Sequence, residues 1–129
     1  MEIYFDNVHV PKRYLIDTDP GQGANIIQGY VIGLGRLAGS ARLTGLSQAV
    51  LEIVLNSAMH REIVGTPMRE RSLFANHLAE MFRYIEIARQ YYLSVTWQVM
   101  HPEIYGNHWS PEMLAKYSLA RSFAADCAK

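Results

Sequence analysis

The stretch His60-Arg61-Glu62-Ile63-Val64-Gly65-Thr66-Pro67-Met68 holds the residue types best placed to do chemistry in this chain. It falls between two long helical patterns. Gly65 and Pro67 stop the first pattern and restart the chain into the second. Arg61 is thereby left on the last turn of the first helix. A cation there answers the negative end of the helix dipole, or reaches out to an anion. The plainer alternative is a helix C-cap followed by a tight turn between antiparallel helices, with no ligand at all.

Other candidate groups form no comparable set. His9, His60, His77, His101 and His108 lack close metal-ligand spacing, and His77 with Glu80 and Met81 makes no zinc motif. Gly33-Leu34-Gly35 lies inside a helical pattern with no strand before it, so it is not a dinucleotide loop. No serine, histidine and aspartate share a spacing that suggests a triad. Cys127 is the single cysteine, which excludes an intramolecular disulfide, points to a reducing compartment and reads as packing.

Three long helices must position the Arg61 turn. The first spans about Ala24 to His60, with Leu43, Leu46, Val50, Ile53 and Val54 along one face and Leu51, Leu55 and Ala58 beside them. Gly29, Gly33, Gly35, Gly39, Ser40, Ala41 and Gly45 crowd its first half. Each glycine weakens a helix by about 1 kcal/mol, tolerable where another backbone or a flat ligand must come close. The second helix carries Phe74, Leu78, Met81, Ile85, Ala88, Tyr92, Val95 and Val99, a sustained stripe of alternating three- and four-residue steps that suits an antiparallel bundle. Glu80, Arg83, Glu86 and Arg89 fall on a more solvated side. His101-Pro102 ends this helix. After a loop to Ser110, that serine and Pro111 open a third helix with Met113, Leu114, Tyr117, Leu119, Ala120, Phe123, Ala124 and Cys127 on its apolar side. Three such helices leave one side of a bundle open, so a fourth is expected from outside these residues or from a partner.

The N-terminal part reads differently. Ile3 to Val10 suggests one strand ended by Pro11, and Asp17 to Gly23 is rich in turn formers. A lone strand cannot satisfy its own backbone, so its partners are expected elsewhere. The expectation is an all-α, up-and-down helical bundle over residues 21–129, truncated before its last helix or helices, with residues 1–20 as the last strand and linker of a preceding β-domain.

Composition sets wide bounds. The chain has 129 residues, half of them apolar, and no formal net charge, which suits one globular domain. That balance gives no reason to expect nucleic acid or an anionic membrane as partner. Met1 to Val10 is no signal peptide, and Ala24 to Ala41, interrupted by Asn25, Gln28 and Arg36, is a poor membrane span.

Several short motifs, in order, resemble the acyl-CoA dehydrogenase family over almost the whole chain. Phe5-Asp6-Asn7-Val8-His9-Val10-Pro11 resembles the family's F-x-x-V-x-V-P, and Gly21-Gln22-Gly23 its G-x-G before the C-terminal α-domain. Arg36, Gly45, Ala49, Leu51, Ala58, Arg61, Gly65 and Pro67 fit R-x8-G…A-x-L…A-x-x-R-x-x-F-G-x-P. Leu78-Ala79-Glu80-Met81 fits L-A-[DE]-M, and Ala120-Arg121-Ser122-Phe123-Ala124 resembles A-K-x-F-A. Glu86, Ala88-Arg89 and Trp97 keep the register.

The resemblance implies an FAD-dependent enzyme that dehydrogenates an acyl-CoA thioester, assembled as a homodimer or homotetramer in the cytoplasm or the mitochondrial matrix. It implies that Arg61 contacts the FAD pyrophosphate bound mainly by a neighbouring subunit, with Gly65 forming the turn. Val64 stands where the family has a phenylalanine beside the adenine, and Ser72 where a glutamine usually reaches the flavin. Arg36 matches an arginine near the active site that supports the catalytic carboxylate if buried, or else makes a structural ion pair. Residues around Tyr30 to Gly35 are then expected to line the acyl pocket. The family's catalytic glutamate either follows the third helix motif or directly precedes the helix-one arginine. The latter position is Gly35, so no catalytic residue is expected within this chain, and the isolated chain is expected to be inactive. Two other readings remain open: a flavin-dependent monooxygenase of the same fold, and a non-enzymatic helical dimerisation module.

Overall fold

The computed structural model describes residues 2–15 and 22–129. Most of Asp17 to Gly23, expected as a loop, lies outside the described residues. The helices are α1 (Gln22–Ile26), α2 (Leu34–His60), α3 (Ser72–Met100), α4 (Pro102–Tyr105) and α5 (Pro111–Cys127). A π-helical segment, Ile27–Gly33, joins α1 to α2 without a break. The expected first helix is therefore one rod with a wider turn in its first half. Wide turns of this kind are uncommon and recur at functional sites.

Three long helices pack against one another, as the apolar patterns require. The stripe on α3 turns inward throughout: Ile85, Ala88 and Val95 are buried, and Phe74, Leu78, Met81, Tyr92 and Val99 are half-buried. On α5, Met113, Tyr117, Ala120 and Ala124 are buried, but Leu119 faces outward. Ser110 caps α5 by accepting from the Met113 N–H at 3.3 Å, with Pro111 at the first helical position. The core gathers Leu37, Val95, Met113, Tyr117 and Ala120.

The first helix buries a different face from the one expected. Leu37, Ser40, Thr44, Ser47, Leu51 and Ala58 point into the bundle. Leu46, Val50 and Ile53 are 57%, 44% and 69% exposed. The hydroxyls explain the choice. Ser40 donates to Arg36 O, Thr44 to Ser40 O and Ser47 to Leu43 O, at 2.9, 2.9 and 3.0 Å. Each is satisfied within its own helix, so burial leaves no orphan, and small side chains let α3 and α5 approach closely. The larger apolar residues are left on the open side of the bundle.

Residues 2–10 are exposed and pair with no other strand among the described residues, as a strand whose neighbours lie elsewhere would. One other expectation is corrected. The expected tight turn between the first two long helices is instead a small hairpin: β1 (Glu62–Ile63) pairs antiparallel with β2 (Thr66–Pro67), and a 3-10 turn, Met68–Glu70, leads into α3. The loop from His101 to Ser110 contains α4, closed by Gly106 at φ 78°.

Candidate functional site

The hairpin end of α2 is built from its backbone outward. The Arg61 N–H donates to Ser57 O at 3.0 Å, and the Met68 N–H donates to Arg61 O at 2.8 Å. Arg61 is thus held on both sides by main chain at the point where α2 ends. Its side chain is exposed and makes no hydrogen bond or ion pair among the described residues. Arg69 donates to Met59 O at 3.5 Å and lies 4.0 Å from Glu70. The Arg71 side chain donates through Nη2 to Ile63 O. Arg61, Arg69 and Arg71 outnumber Glu62 and Glu70 around this turn, which gives it a positive face.

The turn itself is strained. Val64 and Gly65 both have positive φ, 53° and 69°, the pattern of a two-residue hairpin loop. Glycine is suited to that conformation; a β-branched residue is not. Val64 is also 93% exposed, so no packing offsets the strain. Asparagine adopts positive φ readily, and Val64→Asn is expected to stabilise the chain by about 1 kcal/mol. Thermal unfolding should show a rise of roughly 3–5 °C; an unchanged or lower midpoint would count against the strain. Ser72 is the first residue of α3, exposed, with a short hydroxyl in this positive surround.

At the other end of α2 stands Arg36. It is exposed, not buried, and its Nη1 donates to Ser118 Oγ on α5 at 2.7 Å. The bond is neither a carboxylate pair nor an ion pair; it ties α2 to α5. Gly35 beside it faces open space. At 1.5 Å per residue, Arg36 and Arg61 lie about 37 Å apart along the helix. The fold does not bring these two candidates into one site.

The small residues near Tyr30 divide into two groups. Gly29 and Gly33 are buried, covered by Trp109 and by the ring of Tyr117. Gly39 lies against the Arg121 side chain. Close packing therefore accounts for these three. Tyr30, Val31 and Ile32 are 45%, 65% and 41% exposed, and the Tyr30 ring stands edge-on to His108 at 4.6 Å. Sequence reasoning missed this Tyr30–His108–Trp109 cluster. Only the aromatic content of the loop after α3 could have signalled it.

Tyr117 is fully buried, its hydroxyl has no partner among the described residues, and burial pushes the phenol above its ordinary pKa. A concavity of about 810 Å³ lies away from both arginines, between α2, α3 and the end of α5. Leu46, Val50, Met81, Tyr84 and Phe123 give it an apolar lining. It is the open side of the three-helix bundle. Cys127 at its edge donates to Tyr84 O at 3.4 Å, and burial pushes its thiol up. No helix among the described residues is long and apolar enough to cross a membrane.

Comparison with known proteins adds to this geometry. The family of acyl-CoA dehydrogenase C-terminal domains matches residues 21–128. A probable acyl-CoA dehydrogenase of Bacillus subtilis, YngJ, is 32% identical over 100 residues, covering 78% of this chain and 26% of that protein. The mitochondrial isovaleryl-CoA dehydrogenase of Arabidopsis thaliana is 31% identical over 73% of this chain and 22% of its own length. The mitochondrial short-chain specific acyl-CoA dehydrogenase of Sus scrofa is 30% identical over 67% and 21%. The chain thus spans about a quarter or less of these relatives. No solved structure matches the chain significantly.

Proposed function

Because this chain belongs to the acyl-CoA dehydrogenase family through its C-terminal domain, we propose that it is the helical part of an FAD-dependent enzyme acting on acyl-CoA thioesters. The observation that carries this reading is Arg61: its backbone is hydrogen-bonded on both sides, and its guanidinium is exposed and without a partner among the described residues. A planar fork of donors fits the oxygens of a pyrophosphate. Gly65 closes the turn beside it, and exposed Val64 offers apolar contact without ring stacking. Ser72 opens α3 where the family usually has a glutamine that reaches the flavin, and its hydroxyl is too short for that same contact. The Arg61 fork is the group suited to the diphosphate part of FAD. FAD supplies, when bound, the hydride acceptor for α,β-dehydrogenation of the thioester.

The family resemblance implies a homodimer or homotetramer in which Arg61 reaches a cofactor held mainly by a neighbouring subunit. The separation of about 37 Å between Arg36 and Arg61 along one rod is compatible with the two serving different sites. Arg36 sits at the active-site end, where its bond to Ser118 fixes α5 against α2. Gly35 carries no carboxylate, so the base that removes the α-proton comes from outside these residues, and the chain alone is inactive. A soluble compartment, cytoplasm or mitochondrial matrix, is the setting this chemistry calls for.

The test is FAD binding by the gene product that carries this chain, followed by visible absorbance. Losing a charge-assisted phosphate contact is expected to weaken FAD about 10- to 100-fold in Arg61→Ala. A colourless, FAD-indifferent wild-type protein sinks the proposal. Unchanged affinity in Arg61→Ala removes the role given to the turn.

A further inference from the structure

The hairpin that carries Arg61 is too small to hold itself. Its strands are two residues each, and an isolated two-stranded hairpin is marginal in water. Its turn also contains Val64 at positive φ. Strain of this kind persists only where the surroundings fix the backbone from outside. Arg71 is the side chain placed to do so. Its Nη2 donates to Ile63 O, directly before the strained turn. Its backbone is anchored at the other end: the Arg71 N–H donates to Met68 O at 3.2 Å, and Arg71 O accepts from the Ala75 N–H in the first turn of α3 at 3.0 Å. One residue therefore joins the turn to the long helix.

The contrast with its neighbours is informative. Arg69 is exposed and has Glu70 beside it. Arg61 is exposed and its guanidinium has no partner among the described residues. Arg71 is half-buried, and its Nε is buried with no hydrogen-bond partner among the described residues. Withdrawing a guanidinium from water while leaving one N–H unpaired is unfavourable. A surface loop would ordinarily avoid it by letting the side chain swing out. Here the fork stays in, where it bonds the hairpin carbonyl.

We propose that Arg71 is a positioning residue for anion binding. By holding Ile63 it keeps the strained hairpin closed, and so sets the direction in which Arg61 leaves the end of α2. The inference rests on the reading of Arg61 as a phosphate ligand, and adds the residue that makes that ligand competent.

Two measurements test it. The first is amide hydrogen exchange on this chain, read at Met68, whose N–H closes the hairpin onto Arg61 O. Arg71→Ala is expected to lower Met68 protection about tenfold, while Arg61→Ala leaves it unchanged. The second is FAD affinity of the gene product that carries the chain. Arg71→Ala is expected to weaken FAD about tenfold in the wild-type background and to have no further effect in Arg61→Ala, because the two act through one contact. Arg71→Lys, which keeps a donor but not the fork, recovers part of the loss. Unchanged Met68 protection in Arg71→Ala overturns the strut. An equal loss of FAD affinity with and without Arg61 overturns the positioning role, since Arg71 then acts independently. A wild-type protein that holds no FAD sinks the functional reading and the role in binding with it. The Met68 amide still decides the strut in that case.

Discussion

Tyr117→Ala is expected to cost about 3–5 kcal/mol, the usual range for removing a buried aromatic ring. That is a large share of the roughly 5–15 kcal/mol that holds a domain folded. The ring is fully buried between α2, α3 and α5, packed on Gly33 and among Leu37, Val95, Met113 and Ala120. Chemical denaturation should show either a much lower midpoint or a chain already unfolded. Tyr117→Phe is expected to behave oppositely. The hydroxyl has no partner among the described residues, so its removal is neutral or stabilising by about 1 kcal/mol. A clear loss in Tyr117→Phe would show that the hydroxyl is bonded in solution.

The same residue gives the fold an alkaline limit. Burial raises the Tyr117 pKa in the folded chain, whereas the unfolded chain ionises near pH 10. The folded state therefore keeps a proton that the unfolded state releases. Stability from this source is complete below about pH 10 and falls as pH rises through the folded pKa. Cys127, also raised by burial, contributes in the same direction. Denaturant midpoints at neutral and alkaline pH should fall less in Tyr117→Phe than in wild type; equal falls would remove Tyr117 from the account.

Gly33→Ala is the second large effect. Alanine normally favours a helix over glycine by about 1 kcal/mol. At Gly33 the added methyl meets two ring carbons of Tyr117 at 2.9 Å and Gln28 O at 3.2 Å. Neither neighbour is a flexible chain end that can swing away. Overpacking is expected to win, with a net loss of about 1–3 kcal/mol. Gly35, two positions on, faces open space, so Gly35→Ala is expected to gain roughly 0.5–1 kcal/mol. Thermal midpoints of the two variants should move in opposite directions. Movement in the same direction would show that Tyr117 does not press on Gly33.

These residues also show how far the sequence could be read. The α3 stripe was legible because large apolar residues carried it at an unbroken spacing. The buried face of α2 was not, because Ser40, Thr44 and Ser47 fill it while Leu46, Val50 and Ile53 look outward. A hydropathy pattern treats those hydroxyls as surface. Their bonds to carbonyls one turn back make them small packing residues. The Arg61 turn was legible as a break, from Gly65 and Pro67. Its hairpin form was not, because a valine at positive φ contradicts the residue preference that would have announced it. Arg36 looked the same whether buried or exposed; only the position of Ser118, far along the chain, shows its partner.

The rod from Leu34 to His60 also works as a gauge. It carries Arg36 near one end and presents Arg61 just past the other. Deleting or inserting one residue between them would change their interval by only about 1.5 Å, but would swing one around the helix by about 100° relative to the other. With Arg36 and Arg61 in the roles proposed for them, this segment tolerates exchanged side chains on its outer face far better than a changed length.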